Sequence, residues 1–337
     1  MALKLVKLTY EYKKQLTDML DEWLAAEQDF SPYAIRRLDY HDFDTYLANL
    51  EHRTREGLFV PDSVYFLLDT ERNICLGAAN LRHELGARNC VTGGHIGDGI
   101  RPSERRKGYA TAMIGMVLEE CRKMGLSKIL MTCDPDNIGS AKSIMRNGGV
   151  YESTVTDEGE TQQRYWITLH EEVVETERLR LTREMPADYT DMAAWTCDPD
   201  TYTYLLSSVK KDPAEVLPWL YRHDPNSRTD YLMLLRSRVD GHAVGSVSLR
   251  KDAETGVWEF GYVIAPNDRG NGYAVEAISA MMRYLTDLNG AQSFEGECAL
   301  ANTASRRVME KLGLRPLRDS RYQKTDGTEF ASVVYGN

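Results

Sequence analysis

No run of this sequence is apolar for long enough to cross a bilayer. Between Met1 and Lys14 lysines alternate with apolar residues, so the uninterrupted apolar core of a signal peptide is missing, and a cytoplasmic protein is expected. Basic charge is also short. Lys and Arg total 41 against 51 Asp and Glu, for a formal net charge of -10. That balance argues against a polyanion as main partner, because phosphate backbones are gripped by clustered cations. Neither nucleic acid nor membrane is therefore expected, and neutral or cationic ligands fit better. The six cysteines (Cys75, Cys90, Cys121, Cys133, Cys197, Cys298) form no C-x-x-C pair and read as buried thiols. The seven His residues show no H-E-x-x-H or other ligand spacing, so no metal is expected. No G-x-x-x-x-G-K-[ST] is present, which excludes a P-loop. Two segments begin a G-x-G-x-x-G, but its third glycine falls on Pro102 and on Val275, which disfavours a dinucleotide site.

What is present is enough apolar surface for folded domains, with 42% hydrophobic and 27% charged residues. At 337 residues, two domains are the starting expectation. An internal repeat decides their layout. Arg105-Arg106-Lys107-Gly108-Tyr109-Ala110 and Arg269-Gly270-Asn271-Gly272-Tyr273-Ala274 are both R-x-x-G-Y-A. Asn137 with Ser140, then Gly148, follow the first copy; Asn302 with Ser305, then Gly313, follow the second. The glycines of the two loops are 164 residues apart and the two asparagines 165.

Local patterns repeat too. Val64 to Leu68, Ile74 to Leu81 and Gly94 to Ile100 read as three strands, matched by Tyr231 to Leu235, Ala243 to Leu249 and Val257 to Ile264. Each third strand runs into a proline, Pro102 or Pro266, which discourages further pairing. After each loop, apolar residues at spacings of three and four predict a helix: Ala110, Met113, Val117, Cys121 and Met124 in one copy, Ala274, Ile278, Met281, Leu285 and Leu288 in the other. Gly125 and Gly290 are the expected stops. A short strand (Lys128 to Thr132; Phe294 to Cys298), the Asn-x-x-Ser helix and a closing strand such as Arg164 to Leu169 follow. The charged stretch His170 to Glu177 shows neither period and reads as the joint, giving domains 1–172 and 173–337.

A glycine-containing turn between a strand and a helix presents outward backbone N–H groups, which suit an anionic phosphate. Gly108 and Gly272 would admit a close approach, and Arg105, Arg106, Lys107 and Arg269 would add positive charge. Either loop alone could be a solvated turn; two copies with the same downstream partner favour the anion site.

These residues resemble the GNAT N-acetyltransferase superfamily, whose signature [QR]-x-x-G-x-[GA] both loops satisfy. The resemblance covers nearly the whole chain. It implies an α/β (α+β) protein of two GNAT folds, each a mixed, mostly antiparallel central sheet flanked by helices. It implies acetyl-CoA as cofactor and a small-molecule or peptide amine as partner. By the resemblance, coenzyme contacts fall on Ile100 and Arg105, Arg106, Lys107, Gly108, Tyr109, Ala110 and Thr111, and on Ile264 and Arg269, Gly270, Asn271, Gly272, Tyr273, Ala274 and Val275. Asn137, Ser140, Asn302 and Ser305 would meet the pantetheine arm or the phosphates. Glu177-Arg178-Leu179-Arg180-Leu181-Thr182 and Trp258-Glu259-Phe260-Gly261-Tyr262 make the second half similar to the ribosomal-protein and protein N-terminal acetyltransferase branch.

The family's reaction needs an uncharged amine, a stabilised carbonyl oxygen and a departing thiolate. Position makes Glu259 the first candidate for the base and Asp98 the second. An exposed strand carboxylate and a turn residue between glycines remain the alternatives. Many relatives carry a tyrosine seven residues after the motif asparagine as acid; here those positions are Ile144 and Met309. Asp39-Tyr40-His41-Asp42-Phe43-Asp44, acidic and aromatic, is a candidate wall for a cationic acceptor, or else a solvated helix start. A monomer whose two joined domains stand in for a dimer, or a homodimer, is the expected assembly.

Overall fold

The computed structural model describes residues 2–26, 30–57 and 59–337. It divides between Glu171 and Glu172 into two units.

In the first unit β1 (Leu3–Val6) leads to α1 (Lys13–Ala26) and α2 (Phe43–Asn49). Then come β2 (Asp62–Asp69), β3 (Ile74–Arg82), β4 (Ile96–Ile100), α3 (Tyr109–Lys123), β5 (Lys128–Cys133), α4 (Ile138–Arg146), β6 (Val150–Asp157) and β7 (Glu160–Thr168). The strands form two sheets, β1-β2-β3-β4 and β5-β7-β6, antiparallel throughout. Alternation along the strands sends side chains into two cores. One core joins Leu67, Leu76, Ile96 and Ile100 to the buried stripe Tyr109, Met113, Val117 and Cys121 of α3. The other joins Val64, Phe66 and Ala78 to Leu16, Met19, Trp23 and Tyr46 of α1 and α2.

The second unit runs β8 (Val173–Glu175), β9 (Leu179–Arg183), α5 (Ala193–Thr196), α6 (Leu217–Leu220), β10 (Asp230–Ser237), β11 (Ala243–Lys251) and β12 (Trp258–Ile264). It continues with α7 (Tyr273–Asn289), β13 (Phe294–Ala299), α8 (Thr303–Lys311), β14 (Arg315–Gln323) and β15 (Glu329–Gly336). Its sheet order is β14-β15-β13-β12-β11-β10-β9-β8, parallel only between β12 and β13. Trp258, Phe260 and Ile264 pack on Ala274, Ile278, Met281 and Leu285 of α7. Leu232, Leu234 and Ala265 pack the opposite face against Met192, Trp195, Val216 and Leu220.

Two expectations change. Val173–Glu175, inside the stretch read as a joint, is an edge strand paired with β9; Val174 is buried, and flanking charges hide its alternation. The helical stripes also end one turn early, since Met124 and Leu288 are exposed. Gly125 and Gly290 follow those ends at φ 73° and 66°, a conformation glycine adopts without Cβ strain.

Candidate functional site: a strand fork facing a helix start

In each unit two neighbouring strands stop pairing partway and diverge. In the second, β12 and β13 are in register only at Trp258 with Phe294 and Glu259 with Glu295; from Phe260 onward the facing edges are open. In the first, β4 and β5 belong to different sheets and meet only at the base of the fork. There the His95 amide donates to the Leu130 carbonyl at 2.7 Å, and the Leu130 amide donates to His95 Nδ1 at 2.9 Å. The approach is close enough that a Cβ on Gly94 would lie 2.4 Å from the Leu130 oxygen. An open strand edge holds unpaired amide and carbonyl groups, and so can accept an extended ligand as a further strand.

Each fork opens beside the repeated loop. Gly108 and Gly272 cap α3 and α7 in the left-handed region, at φ 86° and 82°. Two residues earlier the backbone is left-handed again, at Arg106 (φ 62°) and at its counterpart Gly270 (φ 82°). The two loops therefore share a backbone path although one uses arginine where the other uses glycine. In the second unit the amides of Gly270 to Val275 donate to no backbone carbonyl among the described residues, as expected before the first full helical turn.

The first arginine of each motif is tied back to the strand end through Nε, and Arg269 also lines the second unit's cavity. Arg105 Nε donates to the Ile100 carbonyl at 3.0 Å and Arg269 Nε to the Ile264 carbonyl at 3.2 Å. These bonds anchor each loop to its strand end and leave the guanidinium charge beside the loop. The Ile100 and Ile264 side chains are buried, Ile264 also lining the second unit's cavity. Lys107 Nζ pairs with Glu104 at 3.0 Å. Tyr109 is buried, its hydroxyl accepting from Arg72 at 3.3 Å; Arg178 stacks over Tyr273 and donates to the Asn271 carbonyl at 2.9 Å. Ala110 and Thr111 continue the first turn of α3, as Ala274 and Val275 do in α7.

The Asn-x-x-Ser elements are helix caps. Asn137 Oδ1 accepts from the Ser140 amide at 3.0 Å and Asn302 Oδ1 from the Ser305 amide at 3.1 Å. The Nδ2 end of each asparagine has no part in the cap and is the donor left for a ligand. Ile144 and Met309 are core residues.

Cys133 and Cys298, at the open ends of β5 and β13, face these same serines, a pairing that single-cysteine reasoning missed. The constant spacing to Ser140 and Ser305 was its signal. Burial pushes both thiols up, and hydrogen bonds from Ser140 and Ser305 pull the other way without prevailing. Neither is poised as a thiolate.

Asp98 lies on β4 between Gly97 and Gly99, which pack toward Pro32 and Ser31 on the opposite face. Its side chain therefore shares the α3 face with Ile96 and Ile100. Enclosure by protein pushes its carboxyl up to about 6. Glu259 stands elsewhere, at the closed base of its fork, 57% exposed and 3.7 Å from Arg250. The residue at Asp98's strand position in the second unit is Tyr262, whose hydroxyl donates to Ser305 Oγ at 3.1 Å.

The segment Asp39 to Asp44 forms the start of α2 and packs its aromatics inward. Asp42 caps α2 through the Thr45 amide, Asp39 holds His41, and Asp44 accepts from Tyr10. Tyr40 and Phe43 are buried, with Tyr40 donating to Asp21. Each of these acids thus has a local partner, and all three carboxylates stay exposed.

In the second unit a cavity of about 1080 Å³ joins the Gly270 to Val275 loop, the fork at Tyr262 to Ile264 and Cys298, and a wall of Tyr204, Leu206, Trp219 and His223. No helix among the described residues is long and apolar enough to cross a membrane.

The Acetyltransferase (GNAT) domain profile matches residues 5–150 and again 178–315. No curated protein matches. Among solved structures, the chain is similar to a GNAT-family acetyltransferase from Bacillus anthracis (21% identity, 49% of this chain and 98% of that one, TM-score 0.44). It is similar also to the ribosomal-protein-S5-alanine acetyltransferase from Vibrio fischeri (13%, 49% and 96%, TM-score 0.42). A third is spermidine N-acetyltransferase from Vibrio cholerae, in complex with CoA and spermine (15%, 48% and 96%, TM-score 0.43). The two profile matches together span most of the chain, which therefore belongs to the GNAT acetyltransferases, a family that transfers acetyl groups from acyl-coenzyme A, and carries the domain twice.

Proposed function

We propose that this protein moves the acetyl group of acetyl-CoA to a primary amine by direct attack on the thioester. The observation that carries the reading is the continuous cavity of the second unit, which links an anion-binding helix start, an open strand edge and a separate wall. The loop amides of Gly270 to Val275 would hold the diphosphate, aided by the positive end of α7. The pantetheine amides would pair with the open edge of β12, bringing the thioester into the fork. Arg105 and Arg269 fix loop to strand, so phosphate and thioester sites keep a set separation.

The two faces of the sheet then receive different groups. Glu259, Gly261 and Val263 alternate toward the wall of Trp219 and His223, while Tyr262 and Ile264 point to the side from which the coenzyme arrives. The amine would approach past Glu259, which takes its proton, and the thiolate would leave on the other side. In the first unit the candidate base Asp98, its carboxyl pushed up to about 6, would act from the α3 face, the side that Tyr262 takes in the second unit.

A second reading, transfer in the second unit alone, has one observation in its favour. In the first unit Ser31 and Pro32 lie directly on Gly97 and Gly99, covering the face from which an amine would come. In the second, Gly261 is exposed and lines the cavity.

Calorimetry with acetyl-CoA, followed by thiol release across polyamines, aminoglycosides, amino acids and N-terminal peptides, tests both. Two bound equivalents and turnover with an amine support the proposal. No binding at either loop defeats it, and binding without turnover on any amine leaves a non-catalytic acyl-CoA-binding protein instead.

A further inference from the structure

We propose that Tyr262 is the proton donor to the departing coenzyme A sulfur in the second unit, with Ser305 holding its hydroxyl across the fork. The inference rests on the acetyltransferase reading and adds to it a residue that α8 does not supply, since Met309 is buried in the core.

Position is the first argument. Tyr262 leaves β12 beyond the last paired residue, Glu259, so its ring lies where the strands have already separated. Its hydroxyl meets Ser305 Oγ at 3.1 Å, on the first turn of α8. The contact therefore spans the gap between the strand that would carry the thioester and the helix that follows the opposite strand. Cys298, also on the cavity wall, shares Ser305 and closes the far side. An extended ligand threaded along the open edge of β12 has to pass this phenol.

Direction is the second. Tyr262 and Glu259 are three residues apart on one strand, so they project to opposite faces. Attack from one face and departure on the other place the breaking carbon–sulfur bond between them. The amine lone pair forms the new C–N bond, and the C–S bond electrons go to sulfur. The phenolic proton passes to that sulfur, and the phenolate regains a proton from solvent. Glu259 takes the proton released by the amine nitrogen.

Proton affinity is the third. Burial raises Tyr262 above its ordinary value, so the hydroxyl carries its proton throughout the neutral range. The same burial penalises a free thiolate and raises its demand for a proton, which narrows the mismatch between donor and acceptor. Asp98, at the matching position of the first unit, is nearer neutrality and suits a base, so the two forks are not chemically equivalent.

The test uses the full chain loaded with coenzyme A and needs no acceptor. The bound thiol is titrated by the ultraviolet absorbance of its thiolate in wild type and in Tyr262→Phe. A phenol donating to sulfur stabilises the thiolate, so its removal is expected to raise one bound thiol's pKa by about one unit or more, with coenzyme affinity at pH 6 nearly unchanged. Ser305→Ala keeps the phenol but frees it, and is expected to shift the same titration less; it decides the matter if Tyr262→Phe fails to fold. With any amine that turns over, kcat falls about 100-fold in Tyr262→Phe while KM for acetyl-CoA holds. Identical thiol titrations in wild type and both variants overturn the proposal and leave the acetyltransferase reading intact. Absence of coenzyme A binding in wild type overturns both.

Discussion

Asp98 and Tyr262 occupy the same strand position in the two repeats, 164 residues apart; Tyr262 donates to Ser305, whereas the Asp98 charge is felt by Cys133. One is a carboxylate pushed up to about 6 by burial, the other a phenol held protonated. The repeat has kept its backbone and changed its chemistry at the point where the fork opens.

Asp98 therefore sets a pH dependence on the first unit alone. A base must be ionised to act, so activity from that unit rises with pH through about 6 and levels above it. Asp98→Asn is expected to remove that step and reduce the rate about 100-fold. Rate profiles from pH 5 to 8, measured in a Gly272→Trp background to silence the second loop, check it. An unchanged profile in Asp98→Asn would exclude the aspartate as base.

The loop glycines make a separate prediction. At φ 86° and 82°, a Cβ on Gly108 or Gly272 meets no close atom, only Arg178 Nη2 at 3.7 Å in the second case. Crowding is thus not what requires glycine; backbone conformation and room for a ligand are. Gly108→Ala and Gly272→Ala are each expected to cost about 1 kcal/mol of stability and to weaken coenzyme binding at their own loop only. Arg106, left-handed without being glycine, should behave in reverse: Arg106→Gly is expected to be neutral to about 1 kcal/mol stabilising. Thermal melts and calorimetry on the three variants give the comparison.

Glu184 connects burial to pH in the second unit. Burial pushes its carboxyl up to about 8, with the Ser246 hydroxyl opposing the rise and Asp188 adding to it. The folded form thus binds a proton more tightly than the unfolded chain does. Stability from this group is full below the ordinary value of 4.5 and is lost progressively as pH climbs toward about 8, because unfolding then releases a proton. Glu184→Gln is expected to leave the melting temperature at pH 4.5 unchanged and to raise stability at pH 8 by about 1 to 3 kcal/mol. A stability difference independent of pH would contradict this assignment.

The repeat itself, the loops and their helices were legible because they rest on periodicity and on glycine, whose signals are local. The turned-in Arg105 and Arg269 were not, since a sequence shows a cation but not which carbonyl it meets. In Asp39 to Asp44 the same acids and aromatics that suggest a wall also serve as caps and core, a double use that composition does not separate. Residues 186–229, which supply Tyr204, Trp219 and His223 to the cavity, consist of short turns and single helical turns with no period to read. The serine–cysteine pairs were present in the spacing, but become meaningful only once strand ends and helix starts are brought together.

The asparagines that open α4 and α8 allow capping to be separated from ligand contact. Asn302 uses its carbonyl oxygen on the Ser305 amide, so only its Nδ2 donor can reach a pantetheine oxygen. Asn302→Asp retains the acceptor and loses the donor; Asn302→Ala loses both. If the residue only caps, the aspartate variant keeps wild-type stability and coenzyme affinity, and the alanine variant loses about 1 kcal/mol of stability. If it also holds the coenzyme arm, both variants bind coenzyme A at least several-fold more weakly, and only alanine melts early. The second pattern is expected, because Asn302 and Ser305 both line the cavity beside Tyr262, and a cap alone gives no reason to keep the Nδ2 donor there. Calorimetry and melting on the two variants, repeated for Asn137, decide between the patterns in each unit.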